Sequence, residues 1–451
     1  MSGLHRTACV LAAAALALLA GGCGDSTPPV PNRFSADPVP PAQTTTAAPA
    51  HTATAAPAHT ATVAPAHTAT VAPTHTATTA PAHTTTAVPA HGTTARPERT
   101  TTKASHGRPV PGRIPRLVNL HDVYAAGRPG RLARAARHVP ARVYVPNSQA
   151  GTVDVISQRT GRIVRHFDVG RLPQHVTPSW DLKTLWVTND LGNSLTPINP
   201  RTSRPGKPVP VLDPYNLYFT ADGRRAIVVA EANRQLDFRE PHSMVLRHSL
   251  KVPMCPGVDH MDFTADGRRA LVSCEFGGRV MVLDLRRERV QKTIDLRPGS
   301  MAQDVKLSPD GRTFYVADMM VGGVWLIDAR TWRKIRFQPT GKGAHGLYPS
   351  RDSKTLYVSN RGEGSISLIS FRTRRPRKKW HLPGGGSPDM GGVSASGRVL
   401  WLSGRYNGEV YAISTRTGKL LHRIKVGAGP HGMAVWPQPG RYSIGHTGIL
   451  R

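Results

Sequence analysis

The chain has 451 residues and carries 59 Lys+Arg against 28 Asp+Glu, a formal net charge of +31. That surplus draws a protein toward anionic surfaces, but no nucleic-acid-binding motif accompanies it, and with the export signal described below this sets DNA and RNA aside. Gly-x-Ser-x-Gly, a phosphate loop, a dinucleotide fingerprint and His-Glu-x-x-His are also missing, so no common catalytic or metal signature defines an enzyme.

The chain opens on Arg6, an apolar run from Ala8 to Ala20, and Gly21-Gly22-Cys23-Gly24. Such a run is too short to span a bilayer and reads as a signal peptide over residues 1–22. Cys23 after Leu19-Ala20-Gly21-Gly22 resembles the lipobox of bacterial lipoproteins, which implies cleavage before it and lipidation of Cys23. The expected location is the outer face of the cell membrane, lipid-anchored, or else secreted or periplasmic.

Residues 23–115 are dominated by Pro, Ala and Thr, with a loose repeat that places His51, His59, His67, His75, His83 and His91 at a constant step. A segment with so little to bury is expected to be a disordered tether. In polyproline II the histidines would stand about 25 Å apart and face different sides, which favours repeat expansion over chelation of one ion. Residues 116–141, richer in Leu, Val, Arg and Ala, form a lead-in in which Arg131 to Arg137 could make one short helix.

From Arg142 the pattern is that of short strands. Asp304–Leu307, Thr313–Ala317, Val324–Ile327 and Lys334–Phe337 are β-branched, aromatic or aliphatic runs bounded by turn formers, and Ser308-Pro309-Asp310-Gly311 closes the first hairpin. The same Asp-Gly-Arg turn recurs at Asp222 and Asp266, with weaker copies at Asp181-Leu182, Asp352-Ser353, Ser396-Gly397 and Pro439-Gly440. A four-strand unit of roughly 40–45 residues is the period of a β-propeller blade. The all-β fold expected is a seven-bladed β-propeller over residues 142–436, six blades beginning near residues 172, 213, 257, 301, 343 and 387. The seventh is composite: the amino-terminal strands at Arg142–Asn147, Thr152–Ile156 and Ile163–Val169 lack an innermost partner, and Gly429 to Trp436 supplies it, closing the ring. Residues 437–451 remain as a C-terminal tail.

Leu356-Tyr357-Val358-Ser359-Asn360, Leu185-Trp186-Val187-Thr188-Asn189 and Arg142-Val143-Tyr144-Val145-Pro146-Asn147, followed by Gly364 to Ile369 and Gly151 to Ile156, resemble the Tyr-Val-Thr-Asn repeat of bacterial surface and periplasmic seven-bladed propellers. The resemblance implies the fold. It leaves function open, because such propellers serve as binding scaffolds, cofactor holders and enzymes.

The positions that begin each innermost strand are expected to converge on one mouth of the channel. They are Gln174-His175, Tyr215-Asn216, Asp259-His260, Gln303-Asp304, His345-Gly346, Asp389-Met390 and His431-Gly432. His175, Asn216, His260, Asp304, His345, Asp389 and His431 make a polar funnel suited to a small ligand, a metal ion or a protein partner, although strand-start loops also need polar groups for their own backbone. The second-strand ends Asn147, Asn189, Glu231, Asp318 and Asn360 read as turn formers, and Gly384-Gly385-Gly386 as a connection between blades. Cys255 lies just before the first strand of a blade and Cys274 at the end of its second, and they could form a disulfide, stay as thiols, or join His260 in a metal site. The dense run Arg372 to Lys379 could meet an anionic cell-wall polymer or lipid surface.

These features point to a monomeric, membrane-tethered binding scaffold with no assigned cofactor, a metal ion being possible. The alternative is a propeller enzyme or redox protein, by analogy with the haem-holding propeller of nitrite reductases and with metal-dependent streptogramin lyases. A Cys-x-x-Cys-His haem attachment motif is missing.

Overall fold

The structure, a computed structural model, describes residues 109–446 and 450–451. The expected leader, Cys23 and the histidine-bearing tether lie outside the described residues. The unit from Ala302 forms Ala302–Leu307, Thr313–Asp318, Gly323–Asp328 and Lys334–Pro339, paired antiparallel in that order. Its first two strands are wholly buried and its outermost is largely exposed, because neighbouring blades cover both faces of the inner strands. Sheets of this kind repeat around a ring of seven blades. In the blade that starts at Pro173 the outer strand is broken into Arg204–Pro205 and Val209–Pro210, where prolines cannot donate to the ladder.

The Asp-Gly turns do more than reverse the chain. Asp310 Oδ1 accepts the Arg312 N–H at 3.1 Å, and Asp222 and Asp266 repeat the bond with Arg224 and Arg268. Gly311 sits at φ +70°, and a Cβ there would come 2.9 Å from the Cβ of Ala265; at Gly267, φ +66°, the clash would be with Ala221 at 2.6 Å. Successive turns therefore touch, so glycine is set by inter-blade contact as well as by φ.

Ala434–Trp436 pairs with Arg142–Asn147 in the register Val143↔Val435, closing the ring as expected. Pro439-Gly440, in contrast, is no hairpin turn. The strand before it is completed by the amino-terminal blade, so the chain has no hairpin to make and Gly440 instead bridges to Leu132.

The lead-in and the tail both belong to the core. Val123 N–H donates to Pro309 O at 2.8 Å, and Tyr124 OH donates to Leu307 O at 2.7 Å. Of the short helix expected at 131–137, only a single 3-10 turn forms, Arg134–Ala136. Residues 437–446 turn back across the ring: Tyr442 and Ile444 are buried among Trp180, Tyr218 and Phe219, and Gly445 bridges to Tyr218. Arg451 is buried, donating to Asp262, Phe263 O and Thr264 O. These two segments close the channel on the hairpin-turn side, which we term the lower end.

Candidate functional site

The start of the innermost strand is bulged in most blades. The register slips between Pro173 and His175, Val258 and Met261, Ala302 and Val305, Ala344 and Leu347, and Pro388 and Gly391. A bulge re-aims side chains and leaves backbone groups unpaired. In four blades a hydroxyl takes up the orphan N–H: Thr188 from His175 at 3.0 Å, Ser273 from His260 at 2.9 Å, Ser359 from Gly346 at 2.8 Å and Ser403 from Met390 at 3.1 Å. The Thr or Ser of the Tyr-Val-Thr-Asn motif thus serves the site of the same blade.

The Asn of the motif has a different task from the turn-forming one expected. Asn147 Nδ2 donates to Thr152 and Asp154, Asn189 to Ser194 and Thr196, and Asn360 to Ser365 and Ser367. Each ties its strand to the next, and all three are fully buried. Asp318 accepts from the Met301 and Val321 N–H groups and from Trp325 Nε1, which ties the first three strands of its own blade together as well as capping a turn. Glu231 falls one residue beyond its strand, Ala226–Ala230.

The bulges create two tiers rather than one rim. Gln174, Tyr215, Asp259, Gln303, His345, Asp389 and His431 occupy the upper tier, and His175, Asn216, His260, Asp304, Gly346, Met390 and Gly432 the lower. Both lie inside the channel: His175, Asn216, His260, Asp304 and Asp389 have no exposure, and His345 and His431 only 2%. The four expected histidines meet, with ring centroids 5.4 Å apart for His175 and His260, 4.9 Å for His175 and His431, and 5.7 Å for His345 and His431. Gly432 makes room for this, since a Cβ there would sit 1.9 Å from His175 Nδ1.

His446, which sequence reasoning left in the tail, enters the cluster from below. Its ring lies 4.5 Å from that of His175 and stacks on His260 at 4.7 Å. Burial holds all five imidazoles below their ordinary pKa, His260 down to about 3, so the cluster is neutral near pH 7.

Asp389 orients two of the rings. Its carboxylate meets His431 Nδ1 at 2.7 Å and His345 Nδ1 at 3.2 Å, and accepts from Arg361 Nη1 at 3.3 Å. Donation from Nδ1 leaves His431 Nε2 a bare lone pair, and that atom is buried without a partner. Both nitrogens of His175 and both of His446 are likewise buried and unpartnered. Asn216 Nδ2 lies 3.0 Å from His260 Nδ1. Asp304 stands apart from the rings: it accepts the Leu347 N–H, faces Lys306 at 3.6 Å, and burial pushes its pKa up to about 6.

Above the tiers, the residue after each second strand lines the upper mouth. In blade order these are Ser148, Asp190, Glu231, Glu275, Met319, Arg361 and Arg405. Three consecutive blades supply acids and two others supply arginines, so the mouth has an acidic and a basic arc. Arg361 lies over the Tyr406 ring, its second amino group donates to the thioether of Met319, and Arg405 Nη1 is buried without a partner. Burial raises the pKa of Glu275 and of Asp259 beneath it, and Glu275 Oε1 accepts from Gln303. Sequence reading missed both arginines; aligning the residue after each second strand exposes them.

Cys255 and Cys274 are joined in a disulfide, which leaves no thiol for a metal site with His260. It ties the approach to Asp259-His260 to the end of the second strand.

Seven antiparallel four-strand units closed into a ring define a seven-bladed β-propeller. The chain belongs to the YNCE-like β-propeller family, whose model matches residues 117–439. No curated protein matches it. Among solved structures it is similar to the Pseudomonas aeruginosa periplasmic gluconolactonase PpgL, at 18% identity over 65% of this chain and 98% of that one, TM-score 0.55. It is also similar to a functionally unknown protein from Desulfotomaculum acetoxidans, at 15% identity over 64% and 98% of the two chains, TM-score 0.54. A third, the dihydro-heme d1 dehydrogenase NirN in complex with DHE, shares 16% identity over 68% and 77%, TM-score 0.51. At these identities the likeness is one of fold.

Proposed function

We propose that this chain is an exported, membrane-tethered binding propeller that takes a small dipolar ligand into the upper mouth of its channel. The observation that carries the reading is the split rim: Arg361 and Arg405 face an anionic group, and Glu231 and Glu275 a cationic one. The Met319 thioether is a weak acceptor for a guanidinium and Arg405 Nη1 has no acceptor, so a ligand carboxylate would supply the missing bonds. With the lower end filled by the chain itself, the ligand enters and leaves by one side.

The test is a thermal-shift panel of small amino acids, carboxylates and amines on wild type and on Arg361→Ala and Arg405→Ala. At least one compound bearing both charges should raise the wild-type melting temperature, and neither variant should respond. Equal responses in the variants contradict the reading.

Export and the lipid anchor rest on the leader sequence and Cys23. Cys23→Ser should move the protein from the membrane fraction to the soluble one, and a variant that still fractionates with membranes contradicts the anchor. Among the described residues no helix is long and apolar enough to cross a membrane. An anionic polymer has two basic places to bind. One is the outermost strand Pro376–His381 with the Arg372–Arg375 turn before it. The other is a cleft of about 850 Å³ on the lower side, lined by Arg131, Arg134, Arg137, Lys183, Arg201 and Arg441.

A further inference from the structure

We infer that the throat at the lower tier is a transition-metal site whose ligands are His175, His260 and His446, two from separate blades and one from the C-terminal return. The inference rests on the channel reading only in placing a ligand in the same channel; it does not need the charged rim.

One ligand nitrogen from each of the three rings lies within 4.8 Å of the other two. A four-coordinate ion with bonds of about 2.0–2.1 Å places its nitrogens roughly 3.4 Å apart, so each ring need move by about 1 Å or less. All three side chains are fully buried, and both nitrogens of His175 and of His446 have no hydrogen-bond partner. Leaving a buried polar atom unsatisfied is costly, and two adjacent rings with four such atoms demand an occupant. An ion satisfies one nitrogen of each ring, in the neutral form in which imidazole ligates.

His260 needs one adjustment. The Asn216 amide lies 3.0 Å from its Nδ1. The His260 Nε2 lies 3.1 Å from Asp259 Oδ1, the outer-shell carboxylate that commonly orients a ligating histidine, so Nδ1 is the nitrogen left for the ion, which takes the place of the Asn216 amide contact. His431 is the nearest candidate for the fourth position: its ring is 4.9 Å from that of His175, Asp389 holds its Nδ1, and its Nε2 is bare. A set made only of imidazoles selects Zn²⁺, Co²⁺, Ni²⁺ or Cu²⁺ over the oxygen-seeking Ca²⁺ and Mg²⁺.

The site explains why the return is built into the channel. His446 makes the ion a rivet between ring and C-terminal segment, so ion binding and docking of the return are one equilibrium.

The experiment titrates Co²⁺ into the full chain after treatment with a chelator and reads the visible absorption of the ion and the melting temperature. One tight equivalent is expected, displaced by Zn²⁺ and not by Ca²⁺. Any binding by the tether histidines is a background shared by every variant. His446→Gln should weaken the tight class by about a hundredfold or more, while His422→Ala, an exposed residue of an outermost strand, should leave it unchanged. X-ray absorption of the stoichiometric Zn²⁺ complex of wild type should show at least three imidazoles at about 2.0–2.1 Å, a readout independent of whether any variant folds. Loss of binding in His175→Gln with full retention in His446→Gln overturns the return as a ligand but keeps the channel as a metal site. No tight class in wild type, with a melting temperature unmoved by Co²⁺ or Zn²⁺ up to about 1 mM, overturns the site itself and leaves the response to dipolar compounds standing.

Discussion

At its lower end the channel is filled by segments that occur once, the lead-in around Tyr124 and the return from Gly440 to His446, whereas its upper end is lined by equivalent positions of seven blades. The repeated end gets its geometry from the ring. Once a bulge and its hydroxyl are in place, any residue put at Asp259 or His260 points inward, and identity is free to vary from His to Asp to Gly. The unique end has no such template and is held by specific contacts, such as Arg451 with Asp262 at 3.0 Å. The difference between the two ends of the channel comes from this contrast.

The contrast breaks most completely when the unique end is removed. Deleting residues 429–451 takes away the strand that closes the ring and, with it, Trp436, Tyr442 and Ile444 from the core. The opened ring exposes two strand edges, so cooperative melting should be lost and aggregation should appear on size exclusion. A truncated protein that melts at the original temperature refutes the composite blade.

A smaller effect is expected inside one repeat. Thr188→Val keeps shape but strands the buried His175 N–H and the Tyr215 carbonyl that its hydroxyl now serves. The expected cost is about 1–3 kcal/mol in urea unfolding. If stability is unchanged, the hydroxyl has no part in holding the bulge.

Acid should act on both ends at once. The five channel imidazoles have folded pKa values below the ordinary value of about 6.5. Above that pH they are neutral in both states; below it the unfolded chain takes protons that the fold refuses, so stability falls as pH drops toward the folded values. Each refused proton costs about 1 kcal/mol per pH unit. The raised pKa values of Asp304, Asp259 and Glu275 work the other way, and three carboxyls only partly offset five rings. Calorimetry of chelator-treated protein should show the melting temperature falling between pH 6.5 and 5, and a flat or rising profile contradicts a buried neutral cluster.

The smallest effect is expected where neither end is touched. Removing residues 30–110 should leave the melting temperature within a degree or two, since a Pro, Ala and Thr segment has little to bury. A large shift would give the tether a place in the fold.

The same contrast decides what the sequence could reveal. Blade number, closure through Gly429 to Trp436, and His175, His260, His345 and His431 were legible because periodicity places them without any knowledge of contacts. Their split into two tiers was not, since a bulge changes register by one residue and leaves no mark on composition. Arg361 and Arg405 were hidden by the abundance of arginine, 59 Lys+Arg in all, and Arg361 also by attention to the Asn just before it. His446 had no repeat to point to it, and only the folded return brings it beside a residue 271 positions earlier.

The account turns on His446 standing in the throat among the blade histidines, and ring ¹⁵N NMR of the full chain across a pH series, with His446→Gln to assign its signal, tests this most directly. The prediction is a His446 ring that stays neutral down to pH 5 alongside the four blade histidines, while exposed histidines take up protons near the ordinary value of about 6.5. A His446 ring that protonates with the exposed ones would place the return outside the channel and contradict the account.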